Sequence, residues 1–161
     1  MTVERTSPQP GVAMLRLTGA TASASFSRAS LPVIAKAIDE VLNDAEVHAL
    51  VITGEGRFFS AGADIDAFAA SIETGDAPAL IRDLTGHLHP LLLRMRTSST
   101  ICVAAINGAA AGGGLGLALA CDARVASTDA RLAASYAGMG LSPDGGSTWL
   151  LPRLVGTQVA C

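Results

Sequence analysis

Three consecutive glycines, Gly112-Gly113-Gly114, stand between an apolar run, Ile101–Ile106, and a small apolar segment ending at Cys121. Glycines at a helix start let bare backbone N–H groups approach a ligand with no Cβ in the way. The first N–H groups of a helix lack intrahelical partners and carry the positive end of the helix dipole. That chemistry suits an anion or the oxyanion of a reacting carbonyl. The same glycines also suit close packing of a helix on a sheet, and taken alone the two readings weigh about the same. A second segment of this kind is Gly56-Arg57-Phe58-Phe59-Ser60-Ala61-Gly62-Ala63-Asp64-Ile65. A third is Gly140-Leu141-Ser142-Pro143-Asp144-Gly145-Gly146, whose one acid is Asp144. By residue type alone, Asp144 reads first as a cap for a helix starting at Gly146.

Other chemistry is excluded by what is missing. There is no Gly-Lys-Ser/Thr phosphate loop and no G-x-S-x-G nucleophile elbow. The glycine run has the wrong spacing for a dinucleotide fingerprint, and Asp122 follows it too soon. His87 and His89 are two apart and fall on different faces of a helix, so no metal site is expected. Cys102, Cys121 and Cys161 have no metal-type spacing, and the first two read as small buried hydrophobes.

The elements that position these segments follow from pattern. Val12–Leu17 and Ala49–Thr53 read as strands, and Ile101–Ile106 as a buried one. Ser30 reads as the cap of a helix whose buried face is Ile34, Ile38, Val41 and Leu42. Asp64 or Ile65 opens a short helix to about Ser71, and Pro78 starts a long one to about Arg96. Gly113–Ala120 is a buried helix, Ala123–Ser127 and Arg131–Ala134 are short strands, and a last helix covers about Gly146–Leu154. Alternating strands and helices give an α/β domain with mainly parallel strands.

The chain has 161 residues, half of them hydrophobic and 16% charged, enough for one domain with a sizeable core. A net charge of −3 without basic runs, and 4% aromatic residues, argue against nucleic acid as a partner. No segment is apolar and long enough to span a membrane, and Met1–Pro8 lacks a signal-peptide core. A reduced, cytoplasmic protein is the expectation.

In their order, F-S-A-G-A-D-I, A-I-N-G-A-A-A-G-G-G and G-L-S-P-D-G-G-S-T-W-L-L-P-R-L-V-G resemble the enoyl-CoA hydratase/isomerase (crotonase) family from about Val12 to Gly156. The resemblance implies the crotonase β-β-α superhelix and an acyl-CoA thioester as substrate, with coenzyme A part of the substrate and no separate cofactor or metal. It assigns the backbone N–H groups of Ala63 and Gly113 to the thioester oxygen. Asp144 takes the place of an acid/base carboxylate found in one branch, which includes enoyl and epoxyacyl isomerases and aromatic acyl-CoA dehalogenases. Ala61, Asp64, Ile65, Asp66 and Gly112 would hold the substrate along the Ala61–Asp66 loop and the glycine run. Tyr136 and Leu141, with the Pro78–Arg96 helix, would line the acyl pocket.

Hydratases of the family carry two glutamates that here are Gly116 and Tyr136, so an isomerase with Asp144 as proton shuttle is favoured. Gly116→Glu with Tyr136→Glu would then be a route to hydration. His89 aligns with a dehalogenase base but reads more simply as an ordinary helix residue beside Pro90. The alternatives are a hydratase of broad specificity, a hydrolase or dehalogenase-like relative, and a non-catalytic acyl-CoA-binding member. Family chains continue past L-P-R-L-V-G, so residues 1–161 read as a crotonase-like domain incomplete at its C-terminus, with the C-terminal helices missing. The resemblance implies a homotrimer or hexamer for the full-length form. The sheet faces around Ala104 and Ile106 are expected to lack cover.

Overall fold

In the computed structural model, residues 2–18 and 25–161 are described. The chain opens with an antiparallel pair, β1 (Thr2–Gln9) and β2 (Val12–Thr18). Helix α1 (Ser30–Leu42) crosses to β3 (Ala49–Gly54), which lies parallel to β2. After β4 (Phe58–Ser60) come α2 (Ile65–Glu73) and α3 (Ala77–Thr97), then β5 (Ile101–Ile106) parallel to β3. Strand β6 (Ala109–Ala111) leads into α4 (Gly113–Ala120), β7 (Ala123–Ala126) and β8 (Arg131–Ala133). A single 3-10 turn (Ala137–Met139), α5 (Ser147–Val155) and α6 (Thr157–Ala160) follow.

Two sheets result, ordered β1-β2-β3-β5-β7 and β4-β6-β8. Each βαβ step brings its strand back beside the previous one, as parallel connections do. In β2, β3 and β5 alternate residues are buried, so one face of the larger sheet carries the core. Leu15, Leu50, Ile52 and Ala104 share that core with Ile34 and Ile38 of α1, Leu88 and Met95 of α3, and Leu117 of α4.

Several expectations change here. Residues Ser27 and Ser30 exchange hydrogen bonds, each hydroxyl accepting from the other's backbone N–H at 2.8 and 3.1 Å. Ser27 therefore does the capping expected of Ser30, and Ser30 is its reciprocal partner inside the first turn. Strand β5 is buried on one face only, since Ile101 is exposed and Val103 and Ala105 are half-buried. Ala104 and Ile106 are fully covered within the core, packed in the same cluster as Met95 and Leu117. The large apolar side chains left exposed are others, among them Leu93, Val125, Trp149 and Val159.

The Asn107 side chain ties the two sheets together. Asn107 accepts from the Gly54 N–H at 2.8 Å and donates to the Gly56 and Phe58 carbonyls, both at 3.1 Å. It thereby satisfies main-chain groups where the chain leaves β3 for β4. No described helix is long and apolar enough to cross a membrane.

Candidate active site

Two backbone segments meet at one cavity. Phe26 and Ala63 form an isolated parallel bridge. In it the Phe26 N–H donates to the Gly62 carbonyl at 2.7 Å, and the Asp64 N–H donates to the Phe26 carbonyl at 3.0 Å. That pattern uses the groups on either side of Ala63 and leaves its own N–H outside the ladder. Gly62 has φ of +78°, and a Cβ there would lie 2.5 Å from the Ala111 carbonyl oxygen and 3.1 Å from the Gly113 nitrogen. Only glycine permits this approach, which sets the Ala63 loop against the start of α4. Gly112 bends into α4 with φ of +50° while its N–H donates to the Ala133 carbonyl at 3.1 Å. Gly113 is the first residue of α4, so its N–H lies among those with no partner in the helix.

The cavity between these segments holds ≈ 290 Å³ and its walls are largely apolar. Ala61, Ala63, Ile65, Gly112 and Gly113 line one side, with Tyr136, Leu141 and Asp144. Helix α3 supplies Ile81, Leu84, Thr85 and Leu88, and the residues around the 3-10 turn add Ser135 and Met139. Two of the expected binding residues stand apart from this group. The Asp64 carboxylate accepts from the Ala67 N–H at 3.1 Å and caps α2, while Asp66 is exposed on its first turn. Their side chains do not line the cavity.

Asp144 is the one carboxylate on the cavity wall among the described residues. Its side chain does not cap α5. The main chain does that work, because the Asp144 carbonyl accepts from the Ser147 N–H at 3.0 Å and from the Tyr136 hydroxyl at 3.2 Å. The carboxylate is thus left for other chemistry, and the helix-cap reading of its residue type fails. Tyr136 is buried, and that burial pushes its hydroxyl up to about 12; the nearby Ser147 side chain opposes the shift and the Asp144 charge adds to it. Ser135, just before it, holds φ of +56°, an uncommon conformation for a residue with a side chain.

Behind Asp144 opens a second, wider groove of ≈ 900 Å³ between α3, α4 and α5. His89 lines it, with Nε2 3.8 Å from Asp144 Oδ2. The neighbourhood of His89 was missed by reading it as an ordinary helix residue. The α3-to-α5 packing that brings it beside Asp144 is not written in local pattern.

Gly116 is closed by packing. A Cβ there would sit 2.5 Å from the Gly145 carbonyl oxygen and 3.1 Å from the Gly145 Cα. Any side chain at this position collides with the turn that carries Asp144. Replacing Gly116 and Tyr136 with glutamates is therefore not a route to hydration in this chain.

The enoyl-CoA hydratase/isomerase family model matches residues 7–161. The chain belongs to that family. Within it, a probable enoyl-CoA hydratase of Mycobacterium tuberculosis is 43% identical over 124 residues, covering 77% of this chain and 46% of that protein. The 1,2-epoxyphenylacetyl-CoA isomerase of Escherichia coli is 34% identical over 148 residues, covering 92% of this chain and 56% of that protein. The crystal structure of an enoyl-CoA hydratase from Polaromonas sp. JS666 superposes with a TM-score of 0.87 at 33% identity, covering 99% of this chain and 61% of that one. The chain spans about half the length of the curated relatives it matches. As an enoyl-CoA hydratase/isomerase family member it has the crotonase fold, and Ala63 and Gly113 line the same cavity.

Proposed function

We propose that this protein is an acyl-CoA isomerase that forms a thioester enolate, acting on an enoyl-CoA or an epoxyacyl-CoA. The observation that carries this reading is Asp144, the one carboxylate among the described residues on an apolar cavity that also holds Ala63 and Gly113. Water addition needs a carboxylate pair to hold and deprotonate water, and Gly116 and Tyr136 offer none. Double-bond migration needs one group that takes a proton from the α carbon and returns it at the γ carbon. As the α C–H bond breaks, its electron pair moves into the thioester carbonyl, and the two N–H groups meet the growing charge on oxygen. Each such donor is worth roughly 3 kcal/mol of transition-state stabilisation. The chemistry calls for no metal or redox cofactor, because coenzyme A arrives with the substrate.

The test is turnover of a 3-enoyl-CoA beside hydration of the matching 2-enoyl-CoA. Isomerisation should outpace hydration by roughly two orders of magnitude or more, the low end of what positioned acid–base groups supply. Asp144→Asn should remove isomerisation and leave acyl-CoA affinity nearly intact, since it keeps the shape and loses the proton carrier. Hydration as fast as isomerisation would sink the reading.

A hydrolytic or dehalogenating reaction is the second reading, favoured by His89 beside Asp144 at 3.8 Å. There Asp144 would attack as a nucleophile and His89 would activate the water that releases it. Turnover of an aryl-CoA halide would mark that case. The whole protein is proposed as a homotrimer or hexamer, in which exposed Trp149, Val155 and Val159 would find cover. A reducing, cytoplasmic setting goes with this reading, supported by three free cysteines.

A further inference from the structure

Asp144 is the one residue that lines both the apolar cavity and the open groove among the described residues. Its carboxylate stands in the partition between them, 35% exposed, and the nearest titratable group on the groove side is the His89 imidazole, 49% exposed. We infer that His89 is the solvent exit for the proton that Asp144 handles, a relay acting through Asp144 and not on the substrate. The inference rests on the reading of Asp144 as an acid/base group and goes beyond it, by saying where the proton can go.

On the cavity side there is little competition for this role. The other titratable group on that wall is Tyr136, whose hydroxyl already donates to the Asp144 carbonyl. Burial pushes that hydroxyl up to about 12, so at neutral pH it keeps its proton. The remaining walls are alkyl and aromatic groups, with a threonine and serines. On the groove side, Arg96 and Asp122 are paired with each other, at 3.1 Å. Among the described groove-side groups, His89 is the one that comes close to the Asp144 carboxylate, at 3.8 Å.

The step balances simply. The α C–H bond breaks, its electron pair forms the enolate, and the proton bonds to Asp144. The neutral Asp144 O–H gives that proton to the Nε2 lone pair of His89, and the imidazolium releases a proton to water in the groove. The same path in reverse brings a solvent proton to Asp144 for delivery to the γ carbon. A separation of 3.8 Å is longer than a direct hydrogen bond and is spanned by one water or a small side-chain rotation. Two fates then compete for each abstracted proton: direct return to the substrate, or exchange with solvent.

The experiment follows trans-3-hexenoyl-CoA in D2O, reading turnover and the deuterium content of product and recovered substrate by mass spectrometry. The parent protein should place solvent deuterium in a large fraction of product. His89→Gln should lower that fraction about tenfold, with turnover falling by less. In His89→Ala, imidazole added at tens of millimolar should enter the open groove and restore deuterium incorporation, a rescue that a purely structural role would not give. Isomerisation with a deuterium fraction unchanged in both variants would overturn the relay while leaving the isomerase reading intact. Exchange without isomerisation, lost in His89→Gln and rescued by imidazole, would support the relay and sink the isomerase reading. Neither exchange nor isomerisation in the parent would overturn both.

Discussion

Gly116→Ala is the sharpest perturbation this chain offers, because it pushes on the turn that carries Asp144 without touching Asp144 itself. The new Cβ would sit 2.5 Å from the Gly145 carbonyl oxygen, about 0.9 Å inside ordinary contact. That oxygen belongs to the main chain next to Asp144, so it cannot swing aside as a side chain would. The turn must move by close to 1 Å. A misplacement of about 1 Å at a reacting group costs roughly a hundredfold in rate, or about 2.7 kcal/mol of barrier. Stability should change far less. Alanine gains about 1 kcal/mol over glycine in a helix interior, and overpacking costs about 1–3 kcal/mol. The net loss is then about 0–2 kcal/mol, a melting shift of at most about 8 °C for a chain of this size. The assay is kcat for isomerisation of a 3-enoyl-CoA beside a thermal melt. Gly86→Ala serves as a control, since a Cβ on that exposed glycine meets nothing within 4 Å. Turnover of Gly116→Ala within about threefold of the parent would refute the idea that this contact fixes Asp144.

Three further outcomes are expected. Gly113→Pro should abolish turnover in folded protein, because proline fits the first helical position but lacks the N–H. Gly113→Ala keeps the donor and meets only side chains, Leu88 at 3.0 Å and Phe26 at 3.3 Å, so it should hurt less; equal damage from both would point to packing. Tyr136→Phe removes the hydroxyl that donates to the Asp144 carbonyl and should cost about 1 kcal/mol of stability, with kcat falling more than KM changes; the kinetic parameters and a urea melt check both. Alkaline pH should weaken the fold. Burial raises Cys102 from 9.0 to about 11 and Cys121 from 9.0 to about 12. Tyr136 rises from 10.0 to about 12 for the same first cause. With folded values above unfolded ones, this stabilisation is complete below about pH 9 and is lost as pH climbs toward 12. A urea midpoint that stays constant from pH 8 to pH 10.5 would contradict it.

What could be read from residues alone was whatever is local. The face of α1, the proline that starts α3 and the glycines that open α4 all act within a few positions of themselves. The segments around Ala63, Gly113 and Asp144 were visible for the same reason, since each needs glycine at fixed places. Strand β1 was missed because Thr2–Gln9 is a polar edge strand without alternation. Its signal was the turn at Pro10-Gly11, where glycine takes φ of +75°. Strands β4 and β6 are three residues each, too short for any period, and exist only because they pair with one another. Asn107 follows β5, yet its side chain bonds to Gly54, Gly56 and Phe58, some fifty positions away in sequence. His89 and Asp144 meet through the packing of distant helices, and no local pattern records that.

The order of the larger sheet, β1-β2-β3-β5-β7, has a consequence for how the chain comes into being. Each strand lays itself on the one made just before it, so no early strand waits for a late one to arrive. A nascent chain leaving the ribosome from its N-terminus can therefore build this sheet in the order of synthesis, one coil at a time. Structure laid down this way behaves like a stack of neighbours, in which stability is passed along from unit to unit. The Asp144 turn belongs to the coil added after β7 and β8. That turn is laid on a platform already set by the strands before it.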